Sequence, residues 1–182
     1  MSGIHSGRVG IGEILTDLVI EPPETTDGAA LWRLAKDSRQ LDVNSSYAYL
    51  LWCRDFRDTS VVARVGGEVH GFVTGYLRPD DQQTVLVWQV AVDAALRGRG
   101  VAGKLLDSLL NRLTERGVRY LETTVTADNA PSNKLFRSLA ARWGASCERS
   151  ELFTVNEFPD GHDSEFLYRI GPLAPIRHTA LV

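Results

Sequence analysis

Sulfur is scarce in this chain of 182 residues, which holds two cysteines, Cys53 and Cys147, and one methionine. No C-x-x-C pair occurs, so neither a disulfide framework nor a zinc-binding pattern is available, no metal is expected, and a reducing compartment is the natural setting. Long apolar runs are missing too. No segment approaches the roughly 18 apolar residues of a membrane span. The stretch Met1 to Asp17 carries glycine, serine and scattered charge in place of the apolar core of a secretory leader. There is no basic excess: 20 Lys and Arg stand against 23 Asp and Glu, a net charge of −3, which argues against the broad positive footprint of a nucleic-acid binder. A soluble, cytoplasmic protein is expected, with no nucleic-acid or membrane partner and with small neutral or cationic substrates. With 43% hydrophobic residues the length suits one domain. Residues 18–173 form it, residues 1–17 read as a flexible N-terminal arm, and residues 174–182 read as a flexible tail.

Periodicity and punctuation divide the domain into alternating elements. A short strand, Leu18 to Glu21, is stopped by Pro22-Pro23. Thr26 or Asp27 then caps a helix with Ala30, Leu31, Leu34 and Ala35 on its apolar face. A second helix, capped by Asn44 or Ser45, has a body from Tyr47 to Phe56 so aromatic that it is expected to pack on two sides. Ser60 to Val65 and Glu68 to Tyr76 flank a Gly66-Gly67 turn as a hairpin, and Thr84 to Val92 supplies a third antiparallel strand. The helix Val101 to Arg116 buries Leu105, Leu106, Leu109, Leu110 and Leu113 and ends at Gly117. Val118 to Thr126 is a strand, Pro131 opens a helix reaching Trp143, and Cys147 to Val155 with Glu165 to Ile170 closes the sheet. The fold class is therefore α/β, with a mixed, mostly antiparallel central sheet flanked by helices.

Between the third strand and the leucine-rich helix lies Asp93-Ala94-Ala95-Leu96-Arg97-Gly98-Arg99-Gly100-Val101-Ala102-Gly103-Lys104. Glycines let backbone N–H groups approach an anion, the following helix adds its positive end, and arginines supply countercharge, so this loop suits a phosphorylated ligand. Gly98, Gly100 and Gly103 spell the G-x-G-x-x-G of dinucleotide sites, with Glu122 as a candidate ribose acid, but that fingerprint opens a parallel sheet and here three antiparallel strands come first. Gly98 to Lys104 also spells most of a P-loop, but Leu105 stands where a hydroxyl must hold Mg²⁺.

A third reading takes Arg97-Gly98-Arg99-Gly100-Val101-Ala102 as R-x-x-G-x-A after the strand Val90-Ala91-Val92. This resembles the acetyl-CoA signature of the GNAT superfamily of N-acetyltransferases, whose order of elements is similar. The resemblance implies that the backbone of Val90, Ala91 and Val92 bonds the pantetheine arm, and that Arg97, Gly98, Arg99, Gly100, Val101, Ala102 and Gly103 surround the pyrophosphate. Asn129-x-x-Ser132-x-x-Leu135-Phe136 looks like a second cofactor segment, placing Asn129, Ser132 and Phe136 at acetyl-CoA. Flanking stretches are similar to the diaminobutyrate acetyltransferases of ectoine synthesis: Leu41 to Arg54, Gly71 to Tyr76, Val87 to Val90, Tyr120 to Thr126, Gly161-His162 and Tyr168 to Pro172. What that implies is acetyl transfer from acetyl-CoA to the 4-amino group of L-2,4-diaminobutyrate by direct attack, with another diamine or amino acid as acceptor, or an acyl-CoA-binding module without turnover, as the alternatives. It also implies a homodimer, for which the helix around Tyr49 to Trp52 is a candidate surface unless it is a buried core helix.

The residues fit that implication chemically. A diamino acid brings two ammonium groups and a carboxylate, so its pocket needs carboxylates to hold one cation while the other amine is made neutral. Asp42 is the first candidate anchor and Glu165 the second, with Asn44, Tyr47, Trp88 and His162 completing the substrate site. Trp88 offers a cation-π face or an apolar wall. Glu165 or His162 would take the proton, and a strand N–H near Val90 would meet the oxyanion. The superfamily's tyrosine acid is replaced by Phe136, leaving Tyr47 or solvent to protonate the thiolate. Each candidate has a plainer structural alternative: Asp42 and Asn44 as turn or cap residues, Glu165 as a solvated strand end, Tyr47 and Trp88 as packing, His162 as a loop residue. Neither cysteine has the neighbouring base that a nucleophile requires.

Overall fold

A stripe of leucines sets the centre of the molecule. In a computed structural model that describes residues 17–174, Leu105, Leu106, Leu109, Leu110 and Leu113 all lie on the buried face of one helix, Val101–Glu115. The elements run β1 (Val19–Glu21), α1 (Gly28–Ser38), α2 (Ser46–Arg54), β2 (Val61–Val65), β3 (Glu68–Arg78), β4 (Asp81–Val92), α3 (Val101–Glu115), β5 (Tyr120–Thr126), α4 (Ala130–Arg142), β6 (Ser146–Phe153) and β7 (Glu165–Gly171). All but Asp17 of the expected arm and all but Ala174 of the expected tail lie outside the described residues.

The strands form a single seven-stranded sheet in the order β1-β2-β3-β4-β5-β7-β6, antiparallel at every pair except β4 with β5. Helices α3 and α4 cover one face, where Val85, Val87, Leu121 and Ile170 meet the leucine stripe together with Phe136 and Leu139. On the other face α1 and α2 bury Leu31, Ala35, Tyr49 and Cys53 against Val62, Phe72 and Ala91. Two hydrophobic clusters thus sandwich the first half of the sheet, as apolar faces on both sides of its strands require.

At the start of α1 the expected cap is not made: Asp27 holds the N-cap position, but its carboxylate accepts from the Glu24 N–H and from Arg64 in place of the helix N–H groups. The next two capped helices follow the expected chemistry. The Ser45 hydroxyl accepts the Ala48 N–H, and the Asn129 side chain accepts the Ser132 N–H with Pro131 in the first turn of α4. The α2 expectation needs correction. The helix ends at Arg54 and packs on one side only: Tyr49 and Cys53 are buried, whereas Tyr47 and Leu50 face outward. Its remaining aromatic, Trp52, instead joins Phe56, Tyr76 and Trp88 in a surface cluster, with ring centroids 4.7 to 6.3 Å apart.

Two irregularities in β4 position everything that follows. Thr74 pairs with Gln89 but the next residue, Gly75, pairs with Val87, so Trp88 is bulged out of the ladder. Val85 and Val87 face α3 before the bulge, Val90 and Val92 after it, and the neighbours Trp88 and Gln89 open onto the same cavity. A Cβ on Gly75 would come within 2.7 Å of the Leu86 carbonyl oxygen, so only glycine allows β3 to approach here. The second irregularity is a parting of strands. The parallel pairing of β4 and β5 covers Thr84–Leu86 against Tyr120–Glu122 and then stops, leaving Val87 to Val92 unpaired on that side.

Candidate active site

The wedge between the parted strands opens into a groove of about 640 Å³ floored by Val90 and Val92. At its mouth the glycine loop has Gly98 and Gly100 at φ values of +73° and +77°, which side chains rarely tolerate. The first backbone bond of α3 runs from Lys104 N–H to Gly100 C=O, so the N–H groups of Val101, Ala102 and Gly103 have no acceptor within the helix and present its positive end. A Cβ on Gly103 would lie 3.3 Å from the Arg142 guanidinium, so glycine leaves that cation room beside the loop. Arg97, Lys104 and Lys134 line the groove with Ser132 and Leu135, and Arg142 lines it paired with Asp107. Free N–H donors, open glycines, cationic rims and unpaired strand backbone match a pyrophosphate joined to an amide-bearing arm, which is the chemistry of coenzyme A.

A second cavity of about 480 Å³ lies toward the outer end of β5 and β7, lined by Asp42, Asn44, Trp88, Gln89, Thr124, Phe153, Phe158, Asp160, His162 and Glu165 among others. Gln40 borders both spaces, and a narrow passage walled by Ala91, Val92 and Asn129 adjoins them. Three titratable groups converge in the cavity. His162 Nε2 is 3.5 Å from Asp42 Oδ2 and 3.7 Å from Glu165 Oε1. The other ring nitrogen, Nδ1, lies 2.7 Å from the Asp163 carbonyl oxygen, to which an N–H there donates. That bond, with the facing carboxylates, holds the His162 pKa above its ordinary value. Burial raises Glu165 against the lowering pull of His162, and its Oε2 is buried without a hydrogen-bond partner. The arrangement can hold an ammonium group between carboxylates and can accept a proton.

The Asp42 loop is itself held from below. Gln89 Nε2 donates to the Asp42 carbonyl at 2.8 Å while Tyr49 OH donates to Gln89 Oε1 at 3.0 Å, linking α2, the bulge and the loop through two buried side chains.

Of the residues expected at the site, Asp42, Asn44, Trp88, His162 and Glu165 line the second cavity; Arg97, Gly98, Gly100, Ala102, Gly103, Val90, Val92 and Ser132 line the groove; and Ala91 and Asn129 line the passage. Four fall elsewhere. Tyr47 is 65% exposed and lines neither space, because it occupies the outward face of the first turn of α2. Phe136 turns into the core beside Leu139, since the groove faces the ridge carrying Ser132 and Leu135. The Val101 side chain is also in the core, so only its backbone N–H can serve the loop. Arg99 folds back, its Nε donating to the Ala95 carbonyl. Glu122, the rejected ribose acid, is buried mid-strand between Arg78 and Arg169. Sequence reasoning missed Gln89, Tyr49, Phe153, Phe158, Lys134 and Arg142. A glutamine inside the apolar run Val85 to Val92 was the available signal for the first of these.

The fold and groove define an acyl-CoA-dependent transferase. The profile of the acetyltransferase (GNAT) family matches residues 28–140, and the chain belongs to that family. Among curated proteins it is similar to L-2,4-diaminobutyric acid acetyltransferase of Streptomyces coelicolor, at 58% identity over 87% of this chain and 95% of the relative. The protein of the same name from Virgibacillus pantothenticus is 45% identical over 83% and 96% of the two chains. Among solved structures it resembles diaminobutyrate acetyltransferase EctA from Paenibacillus lautus in complex with its substrate L-2,4-diaminobutyric acid and coenzyme A. The TM-score is 0.81 and the identity 37%, over 85% of this chain and 95% of that one.

Proposed function

We propose that this chain transfers the acetyl group of acetyl-CoA to the 4-amino group of L-2,4-diaminobutyrate, as an enzyme of ectoine synthesis. The observation that carries the reading is the junction of two spaces: a groove with the donors coenzyme A requires, adjoining a cavity where Asp42, His162 and Glu165 converge. The coenzyme supplies the acyl group as a thioester; the chain supplies position and proton management. Asp42 and Glu165 attract the ammonium groups of the diamine, and Trp88 with Phe158 walls its methylenes. Glu165 and His162, both with raised pKa values, receive the proton that must leave the attacking amine, directly or through water. A backbone N–H of β4 near the Trp88 bulge, free of a β5 partner, faces the developing negative charge. The leaving thiolate is protonated by solvent, since Tyr47 of the same chain lies outside the cavity and Phe136 is in the core.

The resemblance further supports a cytoplasmic homodimer serving osmotic adaptation. Its interface would include the aromatic cluster beside the end of α2, where Trp52 of that helix and Phe56 just beyond it join Tyr76 and Trp88. Among the described residues no helix is long and apolar enough to cross a membrane.

The test is release of coenzyme A from acetyl-CoA with diaminobutyrate, followed by NMR of the product. Acetyl on the 4-nitrogen is expected; acetyl on the 2-nitrogen overturns the binding orientation. Equal turnover of ornithine would replace diaminobutyrate by diamines in general. Binding of acetyl-CoA with no turnover across a panel of amines would make the chain a sensor in place of an enzyme.

A further inference from the structure

A third cavity, about 550 Å³, lies beside the groove along α4, between that helix and the strands β6 and β7. Lys134, Arg137 and Arg149 line it with the hydroxyl-bearing Ser138 and Tyr168, and no acid does. None of the three cations has an ion-pair partner among the described residues. All three are exposed at the cavity rim, so together they leave a local positive charge that the net charge of −3 elsewhere on the chain does not offset there.

The cavity is also ordered on its inner side. The Arg149 guanidinium centre stands 3.7 Å from the centroid of the Phe166 ring, and its N–H groups have no protein acceptor among the described residues. Tyr168, 1% exposed, is held by its hydroxyl on Asn133 Oδ1. Asn133 in turn donates to the Thr126 and Ala127 carbonyls, so the cavity floor is tied to the end of β5. An arginine held over an aromatic ring, beside a second arginine and a lysine, is a donor set suited to a tetrahedral dianion.

We propose that this cavity is an anion site distinct from the pyrophosphate loop and that it takes a phosphate group. Two sources share that chemistry. Lys134 and Ser138, one turn apart on α4, border both this cavity and the coenzyme groove, so the 3′-phosphate of bound coenzyme A is one source; that branch rests on the acetyl-CoA reading. Free inorganic phosphate is the other and does not depend on it.

The experiment compares the full chain with Arg137→Gln/Arg149→Gln, two exposed side chains outside the groove lining. Inorganic phosphate is titrated calorimetrically at constant ionic strength, and KM is measured for acetyl-CoA and for its 3′-dephospho analogue. Loss of two charge-assisted contacts should weaken phosphate binding about tenfold or more. With unchanged KM for acetyl-CoA, that result assigns the cavity to free phosphate. A variant KM for acetyl-CoA that rises to match the dephospho analogue assigns it to the coenzyme. Arg137→Gln alone should move the same readouts in the same direction if the double variant folds poorly, and Arg137→Lys/Arg149→Lys should restore part of the effect. Phosphate affinity and KM both unchanged in the variants overturns the proposal, whatever amine the enzyme acetylates.

Discussion

Gln89 does more for the candidate site than its position in an apolar strand suggests. It sits where the bulge turns two consecutive side chains to one face, and it spends both ends of its amide on Tyr49 and the Asp42 carbonyl. Gln89→Leu should leave the Tyr49 hydroxyl unpartnered, loosen the Asp42 loop, and raise KM for the amine about tenfold. In steady-state kinetics kcat and KM for acetyl-CoA should hold, because Gln89 touches neither the groove nor the proton-accepting pair; a fall in kcat alone would contradict a positioning role. Asp42→Asn should likewise raise KM for the amine while acetyl-CoA affinity stays intact, and an unchanged constant removes Asp42 from the site. His162 carries a signed prediction about pH. Its Nδ1–H bond and two facing carboxylates favour the charged ring, so an NMR titration should place its pKa above the unperturbed imidazole value of about 6.5. Glu165→Gln removes one of those charges and must lower it. Because the neutral base accepts the proton, the acid limb of log(kcat/KM) should move to lower pH in the same direction if His162 is the acceptor. A titration curve unmoved by Glu165→Gln would separate the two residues electrostatically.

The strand, loop and helix that form the groove were legible because each rests on local chemistry. Positive-φ glycines, a leucine stripe at helical spacing and an asparagine cap with a proline behind it say the same thing in any context. Gly100→Ala should therefore act locally: forcing a Cβ to φ +77° costs about 1 kcal/mol, and acetyl-CoA KM should rise while the amine KM does not. Equal KM values for acetyl-CoA in both proteins would show that the loop does not need that conformation. What stayed hidden depended on contacts distant in sequence. Tyr47 and Tyr49 are two residues apart in one aromatic run, yet one is 65% exposed and the other fully buried, because α2 has one partner surface and the reading gave it two. Phe136 and Leu135 are adjacent, and only the turn of α4 decides which faces the groove. The bulge had no signal in composition at all, since it arises from how β3 meets β4.

For the molecule entire, the aromatic cluster of Trp52, Phe56, Tyr76 and Trp88 is the surface on which the dimer proposal stands. Phe56→Glu, at a partly exposed ring, should shift sedimentation toward the monomer with little change in fold, and a variant that sediments as the wild type does would move the interface elsewhere. The charge-bearing residues divide in a similar way. Asp42 comes from a loop more than 100 residues before His162 and Glu165, which lie three residues apart in a second loop and at a strand end. Residue type and resemblance nominated them, and tertiary structure brought both carboxylates within 4 Å of the His162 ring.

The parting of β4 from β5 has a thermodynamic side. The seven strands are joined across their middle by pairing at Thr84–Leu86 alone, so the protein's own sheet is two halves sharing a short hem. A ligand arm laid along Val87 to Val92 would occupy the place of a missing strand, and its hydrogen bonds would be sheet hydrogen bonds. Occupancy and cohesion then become one quantity. Saturation at 100 times Kd adds about 2.7 kcal/mol against unfolding, and those amides of Val87 to Val92 that point away from β3 should gain the most protection from hydrogen exchange, ahead of any helix. A melting temperature indifferent to coenzyme A would mean that the seam closes some other way.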